Sequence, residues 1–206
     1  MEDRRVQRTR QLLQRAMLEL IEEHSYENIT VQQITDRANM GRATFYLHYR
    51  DKEQLLLETI QKLQEDLARQ LESLHPSDFR REKATIYEQI FQHIAHYRHL
   101  YQVLLSERGA AIARNRLKAY LTQQAEHFVV NPLLARVSEP AVPASFLAAY
   151  LTGALDAAII WWLDHQQQKT PEEMAQLVRR LTIPTMFSIL GIDPAQLFPQ
   201  SMQDEV

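Results

Sequence analysis

The segment "RATFYLHYR", residues 42–50, groups hydroxyl, imidazole and guanidinium side chains along nine consecutive positions. It follows a short turn at residues 39–41 and precedes a new helix start at Asp51. Side chains of these types hydrogen-bond to phosphate oxygens and to base edges in the major groove of DNA. The segment therefore indicates a nucleic-acid contact surface, and the polar face of an ordinary helical hairpin is the alternative.

Two short helices account for this segment and the residues before it. They are predicted at Val31–Ala38 and Arg42–His48, with a turn of three residues between them. Thr30 and Gln33, three residues apart at the start of the first helix, form the pattern of a capping box. The pair is a helix-turn-helix, a motif whose second helix enters the major groove of DNA.

The packing of this helix pair decides which of its side chains face outward. Ala38 is small enough to let the two helices cross closely, and the shared core is predicted to contain Ile34, Met40 and Phe45. The remaining side chains of the second helix are then free to contact DNA. These are Arg42, Ala43, Thr44, Tyr46 and His48.

Basic residues are concentrated at the N-terminus, although the net charge of the chain is −3. The first fifteen residues contain five arginines and only two acidic residues. By itself such a cluster is usually a solvated face. Beside a helix-turn-helix it adds Arg4 and Arg5 to the candidate DNA contacts.

The composition favours a mostly helical chain with a sizeable core. Of the 206 residues 45% are hydrophobic, only four are glycine and none is cysteine, so no disulfide and no thiolate metal site is expected. The N-terminal "MEDRRVQRTR" has no apolar signal-peptide core. The longest apolar run, residues 157–163, is far shorter than the ~20 residues of a bilayer span. We predict a soluble, intracellular, all-α protein with no membrane association.

Apolar periodicity predicts further helices on both sides of the helix-turn-helix. The first is an amphipathic helix at Arg4–His24, and the fourth runs from Asp51 to about Leu74, before a break at "HPSD", residues 75–78. The longest irregular segment is predicted at residues 131–143. The other helices are predicted at residues 78–96, 100–106, 111–130, 144–165 and 170–191.

The stretch "ITVQQITDRANMGRATFYLHYRDKEQLL" resembles the DNA-binding domain of the TetR (tetracycline repressor) family of bacterial transcriptional regulators. The chain departs from the family pattern at Asn39, where Gly is usual, at Gly41, where Ser is common, and at Arg50, where Pro is frequent. The resemblance covers about the first quarter of the chain. Its positions are Thr30, Val31, Ala38, Arg42, Thr44, Phe45, Tyr46, His48, Tyr49, Lys52 and Glu53.

The resemblance implies two domains and a set of DNA contacts. Residues 1–50 would form the helix-turn-helix domain and residues 51–206 a ligand-binding and dimerisation domain, with helix four, about 51–74, linking them. Arg42 and Thr44 would contact base edges and Ala43 a thymine methyl group. The expected phosphate contacts are Thr30, Tyr46, His48 and Lys52, and Gln33 is expected either to cap its helix or to contact DNA.

The two helices near the C-terminus have large apolar faces, which suggests a four-helix interface in a two-fold homodimer. The resemblance implies the same interface. Trp161 and Trp162 lie roughly 100° apart around their helix, so one is expected inside the protomer and the other near the interface. The candidate interface residues are Phe146, Tyr150, Trp161, Trp162, Leu177 and Leu181.

The resemblance also implies a ligand cavity among helices four to eight. A mostly aromatic lining suits a hydrophobic or amphipathic small molecule. Asp156 would meet a cationic ligand there, or would lie with Thr152 on the wet edge of its helix. The candidate lining residues are Tyr87, Phe91, Tyr97, Tyr101, Tyr120, Phe128 and Asp156.

Two other classes of function remain open from the sequence. His93 and His96 lie three residues apart and form a possible metal pair, which would make the protein a metal-sensing regulator, but a third ligand is not evident. A ligand-free helical interaction module is the other alternative. An enzyme is not expected, because the sequence contains no phosphate-binding loop and no nucleophile elbow, and its single Glu-x-x-His pair, Glu72 and His75, is one fewer than a di-iron bundle needs.

These observations predict a dimeric DNA-binding transcriptional repressor of the bacterial cytoplasm, without a cofactor. It would be released from a palindromic operator in double-stranded DNA by an unknown small-molecule effector. Activation of transcription instead of repression is also compatible with the sequence.

Overall fold

The computed structural model describes residues 4–72, 86–137, 140–165 and 168–191. Within these ranges the chain forms helices and no strand, which confirms the predicted all-α class. A 3₁₀ turn spans Tyr26–Asn28, and a π-helical turn spans Glu126–Val130. The α-helices are α1 Arg4–Glu23, α2 Val31–Arg37, α3 Arg42–Tyr46, α4 Lys52–Glu72, α5 Ile86–His96, α6 Arg98–Leu105, α7 Ala111–Ala125, α8 Asn131–Leu134, α9 Ala144–Asp164 and α10 Pro171–Leu190.

The chain divides into two compact units that are each discontinuous in sequence. The first unit comprises Met1–Asp66 and Tyr97–Leu117, and the second comprises Leu67–His96 and Lys118–Val206. The first unit therefore contains α6 and much of α4 in addition to the helix-turn-helix. The boundary predicted from the sequence lies at residue 50. It differs from this division, in which residues 51–66 and Tyr97–Leu117 belong to the same unit as the helix-turn-helix.

The amphipathic helix α1 provides the apolar face on which the first unit is built. Its bounds agree with the predicted helix to within one residue, and the helix packs against α2 and α6. Leu12 is exposed although it is apolar. The buried residues of α1 are Leu13, Ala16, Met17, Leu20 and Ile21.

The C-terminal end of α1 is acidic and makes polar contacts with two other parts of the first unit. Arg37, the last residue of α2, lies 2.7 Å from a carboxylate oxygen of Glu23, and this hydrogen bond lowers the pKa of Glu23. His99 of α6 places its Nε2 2.7 Å from a carboxylate oxygen of Glu22. These pairs orient α2 and α6 against α1.

Lys52, the first residue of α4, fixes the 3₁₀ turn after α1. Its ammonium group donates to the carbonyl oxygens of Tyr26, Glu27 and Ile29 at 2.8, 3.1 and 2.8 Å. It also lies 4.5 Å from the centre of the Tyr26 ring. An ammonium group has three donors, and all three are used here. The Lys52 side chain is therefore engaged within the protein, and the phosphate contact expected of it stays a prediction.

The core of the second unit is built on α9, which is apolar on most of its surface. Trp162 is 0% exposed, stacks edge-to-face on Phe91 at 5.3 Å, and donates its indole N–H to the carbonyl oxygen of Lys169. Its assignment to the dimer interface is therefore wrong. Trp161 is exposed, so one tryptophan lies in the core as expected, and the place of the other at a dimer interface stays a prediction.

Helix α10 has the beginning and the end that the sequence predicts. Thr170 and Glu173 form a capping box, with Pro171 at the first helical position. The helix ends at Gly191, whose φ of 63° is the left-handed conformation that glycine adopts at little cost. Within the second unit α10 packs against α5 and α9.

Other helix bounds differ from the prediction. The predicted helix at residues 111–130 changes to a π-helical turn after Ala125, and residues 131–134 of the predicted irregular segment form α8. Helix α6 begins two residues earlier than predicted and α3 ends two residues earlier. The predicted break at residues 75–78 and the start of the fifth helix lie outside the described residues.

Helix α9 is long and apolar enough, by length and composition, to cross a membrane. The helix is partly buried in the second unit, where it packs against α10. A core helix of a globular protein satisfies the same two criteria, so these properties do not distinguish the two cases.

We expect Lys52→Met to destabilise the protein, because three carbonyl oxygens lose a charged donor while the aliphatic packing is kept. The free energy of unfolding should fall by roughly 1–3 kcal/mol. For a chain of this size each kcal/mol lowers Tm by about 2–4 °C. Urea and thermal unfolding followed by circular dichroism measure both changes.

Arg50→Met is the matched control, since the Arg50 side chain is 82% exposed and its ion pair with Asp51 should contribute less than about 1 kcal/mol. If Lys52→Met kept the original stability but reduced the salt dependence of DNA binding, Lys52 would be a phosphate contact after all.

Candidate nucleic-acid interface

Helix α2 begins with a capping box that uses the polar groups of Thr30 and Gln33. The Thr30 hydroxyl accepts from the Gln33 amide at 3.2 Å, and the Gln33 side chain accepts from the Thr30 amide at 2.8 Å. Gln33 was expected either to cap its helix or to contact DNA, and it caps the helix. Both side chains remain exposed, so capping fixes their position at the start of α2.

The turn between α2 and α3 depends on Asn39. Its φ of 53° is left-handed, which Asn tolerates better than most residues, so Asn replaces the usual glycine without changing the turn. The amide of Met40 donates to the Thr35 carbonyl oxygen at 2.9 Å. Gly41 is the N-cap of α3 and supplies no side-chain cap, as expected from the missing serine hydroxyl.

The inner face of the helix pair is anchored by two aromatic rings. Phe45 and Tyr49 are almost fully buried, with ring centres 5.7 Å apart, and Phe45 was predicted as core. The Tyr49 hydroxyl donates to Glu58 of α4 at 3.0 Å, and burial raises its pKa. Ile34 is buried as predicted, whereas Met40 is only half-buried, because the turn keeps it at the edge of the core.

The outer face of α3 presents Arg42, Ala43 and Tyr46 to solvent. The Arg42 guanidinium lies 5.9 Å from the centre of the Tyr46 ring and donates weakly to its hydroxyl at 3.4 Å. Thr44 and His48 are half-buried, at the flanks of this surface. Of the five residues predicted to face outward, three are exposed and two are half-buried at the flanks of this surface.

Leu47 is an exposed residue of this surface that sequence reasoning missed. Its side chain is 81% exposed, which is unusual for a leucine. It follows α3 directly and lies four residues after Ala43, so both occupy one side of the helical path. The spacing from Ala43 was the available signal, but an apolar residue beside Phe45 is easily assigned to the core.

Arg4 and Arg5 are exposed in the first turn of α1. A guanidinium group binds phosphate oxygens with two parallel hydrogen bonds, so both residues have the chemistry of a backbone contact. The first unit therefore has candidate DNA contacts on two elements, α1 and α3.

The residues predicted to line a ligand cavity are divided between the two units. Tyr97 and Tyr101 belong to the first unit, and the remaining five belong to the second. Phe91 is fully buried against Trp162, and the Tyr87 hydroxyl lies 3.0 Å from that of Thr182. The structure does not gather all seven residues within one unit.

Four of the five predicted lining residues in the second unit, Tyr87 among them, are accessible to some degree. Tyr120, Phe128 and Asp156 are half-buried. Burial raises the pKa of Tyr120. Thr152, expected beside Asp156 on the wet edge of the helix, is buried and donates to the Ala148 carbonyl oxygen at 2.8 Å.

The two histidines of the possible metal pair do not face the same surface. His93 is 1% exposed, whereas His96 is exposed, so the two rings face different environments. Among the described residues, no group of three or more side chains of the types that bind metals comes together.

Comparisons with known proteins agree with this geometry. Residues 13–59 match the family described as bacterial regulatory proteins, tetR family, and residues 83–183 match a transcriptional regulator C-terminal region. An uncharacterized HTH-type transcriptional regulator of Bacillus subtilis (strain 168), YxbF, is 51% identical over 61 residues. That match covers 29% of this chain and only 16% of the relative's length.

Solved structures match over almost the whole chain. A TetR transcriptional regulator from Streptococcus agalactiae 2603V has a TM-score of 0.66 and 27% identity, over 87% of this chain and 96% of that chain. A TetR-family regulator from Syntrophomonas wolfei has a TM-score of 0.67 and 18% identity, over 91% and 99% of the two chains. The fold and family are those of transcriptional regulators and not of enzymes. Together with the helix-turn-helix described above, these matches show that the chain belongs to the tetR family of bacterial regulatory proteins.

Proposed function

We propose that the chain is a homodimeric repressor that binds a palindromic operator through α3 of each protomer. A small hydrophobic or amphipathic ligand would release it from the DNA. The observation that carries the proposal is the outer face of α3, where Arg42, Ala43 and Tyr46 are exposed while Phe45 is buried beneath them. Such a protein acts in the bacterial cytoplasm, where the DNA is.

The side chains of this face suit different parts of a DNA duplex. Arg42 can bind the O6 and N7 atoms of a guanine with two hydrogen bonds, and Ala43 can contact a thymine methyl group. Tyr46 and His48 can donate hydrogen bonds to phosphates. Such contacts fix the position of the helix on the DNA but do not contribute to its base preference. Leu47 adds an apolar contact beside Ala43.

The proposed dimer interface follows one stripe of α9. Phe146, Tyr150 and Trp161 are exposed and lie along it at helical spacing. Gly153 and Ala157 occupy the same stripe, and a Cβ atom at Gly153 would meet none of the described atoms within 4 Å. Small residues let two helices approach closely, so this stripe suits the packing of α9 against another helix.

Helix α10 adds exposed leucines to the same proposal. Leu177 and Leu181 lie one turn apart, and Leu181 is 73% exposed. Large apolar side chains exposed together on two helices mark an interaction surface. A two-fold dimer would pair this surface with itself and would place one α3 in each half of a palindromic site.

The ligand is proposed to bind in the second unit. Tyr120 and Phe128 are half-buried there, and Asp156 would favour a cation if it lies toward the ligand. Helix α4 has residues in both units, and we infer that a shift of this helix changes the spacing of the two α3 helices. Coupling of this kind amounts to about 1–3 kcal/mol in most proteins.

Neither alternative function gains support from a specific observation. A metal sensor would need His93 and His96 at one site, and their exposures differ too much for that. An interaction module without DNA binding would give no reason for the exposed Arg42–Tyr46 pair at a helix-turn-helix.

Arg42→Ala should weaken binding to the operator by about 1–3 kcal/mol and relax the preference for one base pair, because a base contact is lost. Fluorescence anisotropy with the operator and with single-base variants measures both effects. Lys118→Ala, at an exposed position of α7, is the control and should leave DNA affinity unchanged. An equal loss on all sequences would instead assign Arg42 to a phosphate.

Gly153→Leu should abolish the dimer and operator binding together, because the added side chain blocks the close approach of two α9 helices. The protomer should fold as before or gain up to about 1 kcal/mol, since leucine favours helix more than glycine does. Sedimentation at micromolar concentration measures the association, and circular dichroism the folding.

Ser145→Leu provides the comparison, since Ser145 is exposed on the same helix but lies off the stripe. This variant adds the same side chain and should remain dimeric. A dimeric Gly153→Leu protein would show that α9 does not pair along this stripe.

A further inference from the structure

The Glu58 carboxylate of α4 contacts two other elements of the first unit. It accepts a hydrogen bond from the Tyr49 hydroxyl at 3.0 Å and another from the side-chain amide of Gln14, on α1, at 3.3 Å. The guanidinium group of Arg10, one turn earlier on α1, lies 3.7 Å from the same carboxylate. A single side chain of α4 is therefore joined both to α1 and to the short segment that follows α3.

Tyr49 connects this carboxylate to α3. Its backbone amide donates to the Phe45 carbonyl oxygen at 2.9 Å, so the position of Tyr49 follows that of α3. Its ring is 1% exposed and packs against the Phe45 ring, and the Arg10 guanidinium lies 5.9 Å from the ring centre. Because the ring is enclosed, the hydrogen bond from its hydroxyl to Glu58 ties α3 to α4.

The contacts of Glu58 are shielded from solvent to a large extent. Its side chain is 23% exposed and that of Arg10 is 31% exposed. Lys62, one turn later on α4, lies 3.2 Å from the carboxylate and adds a second positive charge beside it. Hydrogen bonds to a charged group are stronger than those between neutral groups. The contacts of Glu58 are therefore suited to hold helices in place.

The two elements joined to Glu58 are those that carry the candidate DNA contacts. Helix α3 presents Arg42 and Ala43, and α1 begins with Arg4 and Arg5. A base contact needs donor and acceptor atoms at hydrogen-bond distance and in line, whereas phosphate contacts carry no sequence information. A small rotation of α3 would therefore reduce the discrimination between DNA sequences more than it reduces the affinity for DNA in general.

We propose that Glu58 is a positioning residue for operator recognition. Its carboxylate fixes α3 through Tyr49 and fixes α1 through Gln14 and Arg10, so that both elements keep one orientation relative to α4. The proposal rests on the operator binding by α3 proposed above. Glu58 acts through these three residues and makes no contact with the DNA itself.

Glu58→Ala tests the proposal in the full chain through the ratio of two affinities. One is for a duplex that the unmodified protein selects from a random-sequence pool, and the other is for a shuffled duplex of the same composition. Fluorescence anisotropy should show that this ratio falls about tenfold, because a charged acceptor shared by Tyr49 and α1 is lost. A smaller folded fraction would lower both affinities equally and would leave the ratio unchanged.

Glu65→Ala is the matched control, because Glu65 is an exposed residue of the same helix and accepts from Gln61 within α4. It should keep the ratio of the unmodified protein.

Tyr49→Phe removes the hydroxyl and keeps the buried ring, so the protein should fold and the ratio should fall by at least about threefold. Adding Glu58→Ala to this variant should lower the ratio by less than Glu58→Ala does alone, because both changes remove one shared hydrogen bond. An unchanged ratio in both single variants, or fully additive effects in the double variant, would overturn the proposal.

Hydrogen exchange followed by mass spectrometry tests the hold on α3 without DNA. In Glu58→Ala the amides of residues 45–49 should exchange about fivefold faster or more, while those of α9 in the second unit keep their rates. Unchanged exchange at residues 45–49 would contradict the proposal. If the unmodified protein selected no duplex, operator binding would fail as a proposal, and this measurement would still decide whether Glu58 holds α3.

Discussion

The bond between the Lys52 ammonium group and the turn at residues 26–29 closes the helix-turn-helix at both of its ends. Helix α2 begins at Val31, just after the turn, and α3 ends at Tyr46, just before Lys52. One side chain therefore ties the chain that enters the helix pair to the helix that follows it. The position of α3 relative to the rest of the first unit depends on this connection and on the buried Phe45.

In the first unit, the burial of apolar side chains and the pairing of polar side chains have different effects. The buried stripe of α1 stabilises the first unit, since a fully buried Leu or Met contributes roughly 1.5–3 kcal/mol. The contacts Arg37–Glu23 and His99–Glu22 lie in solvent, which screens them, so they contribute much less. They set the direction in which α2 and α6 cross α1. The apolar face of α1 therefore packs against α2 and α6, and the acidic end of α1 orients these two helices.

Features that depend on a few adjacent residues were predictable from the sequence. The capping boxes at Thr30 and Thr170 need only a side chain and an amide three residues apart, and both are present. The outward-facing residues of α3 could be predicted because Phe45 was expected to be buried. The role of Lys52 was not predictable, because its acceptors lie more than twenty residues earlier in the chain. The burial of Trp162 instead of Trp161 likewise depends on Phe91, on another helix.

If the apolar stripe of α9 and α10 is the proposed dimer interface, the behaviour of the protein depends on its own abundance. Leu181 and Phe146 are mostly exposed in the protomer, which is unfavourable in water and invites unspecific association. For a pairing protomer, free energy of folding and free energy of association add, so stability rises with concentration. A regulator present in few copies per cell then spends part of its time unpaired, exposed to proteases and inactive. The number of molecules made thereby becomes part of the regulation.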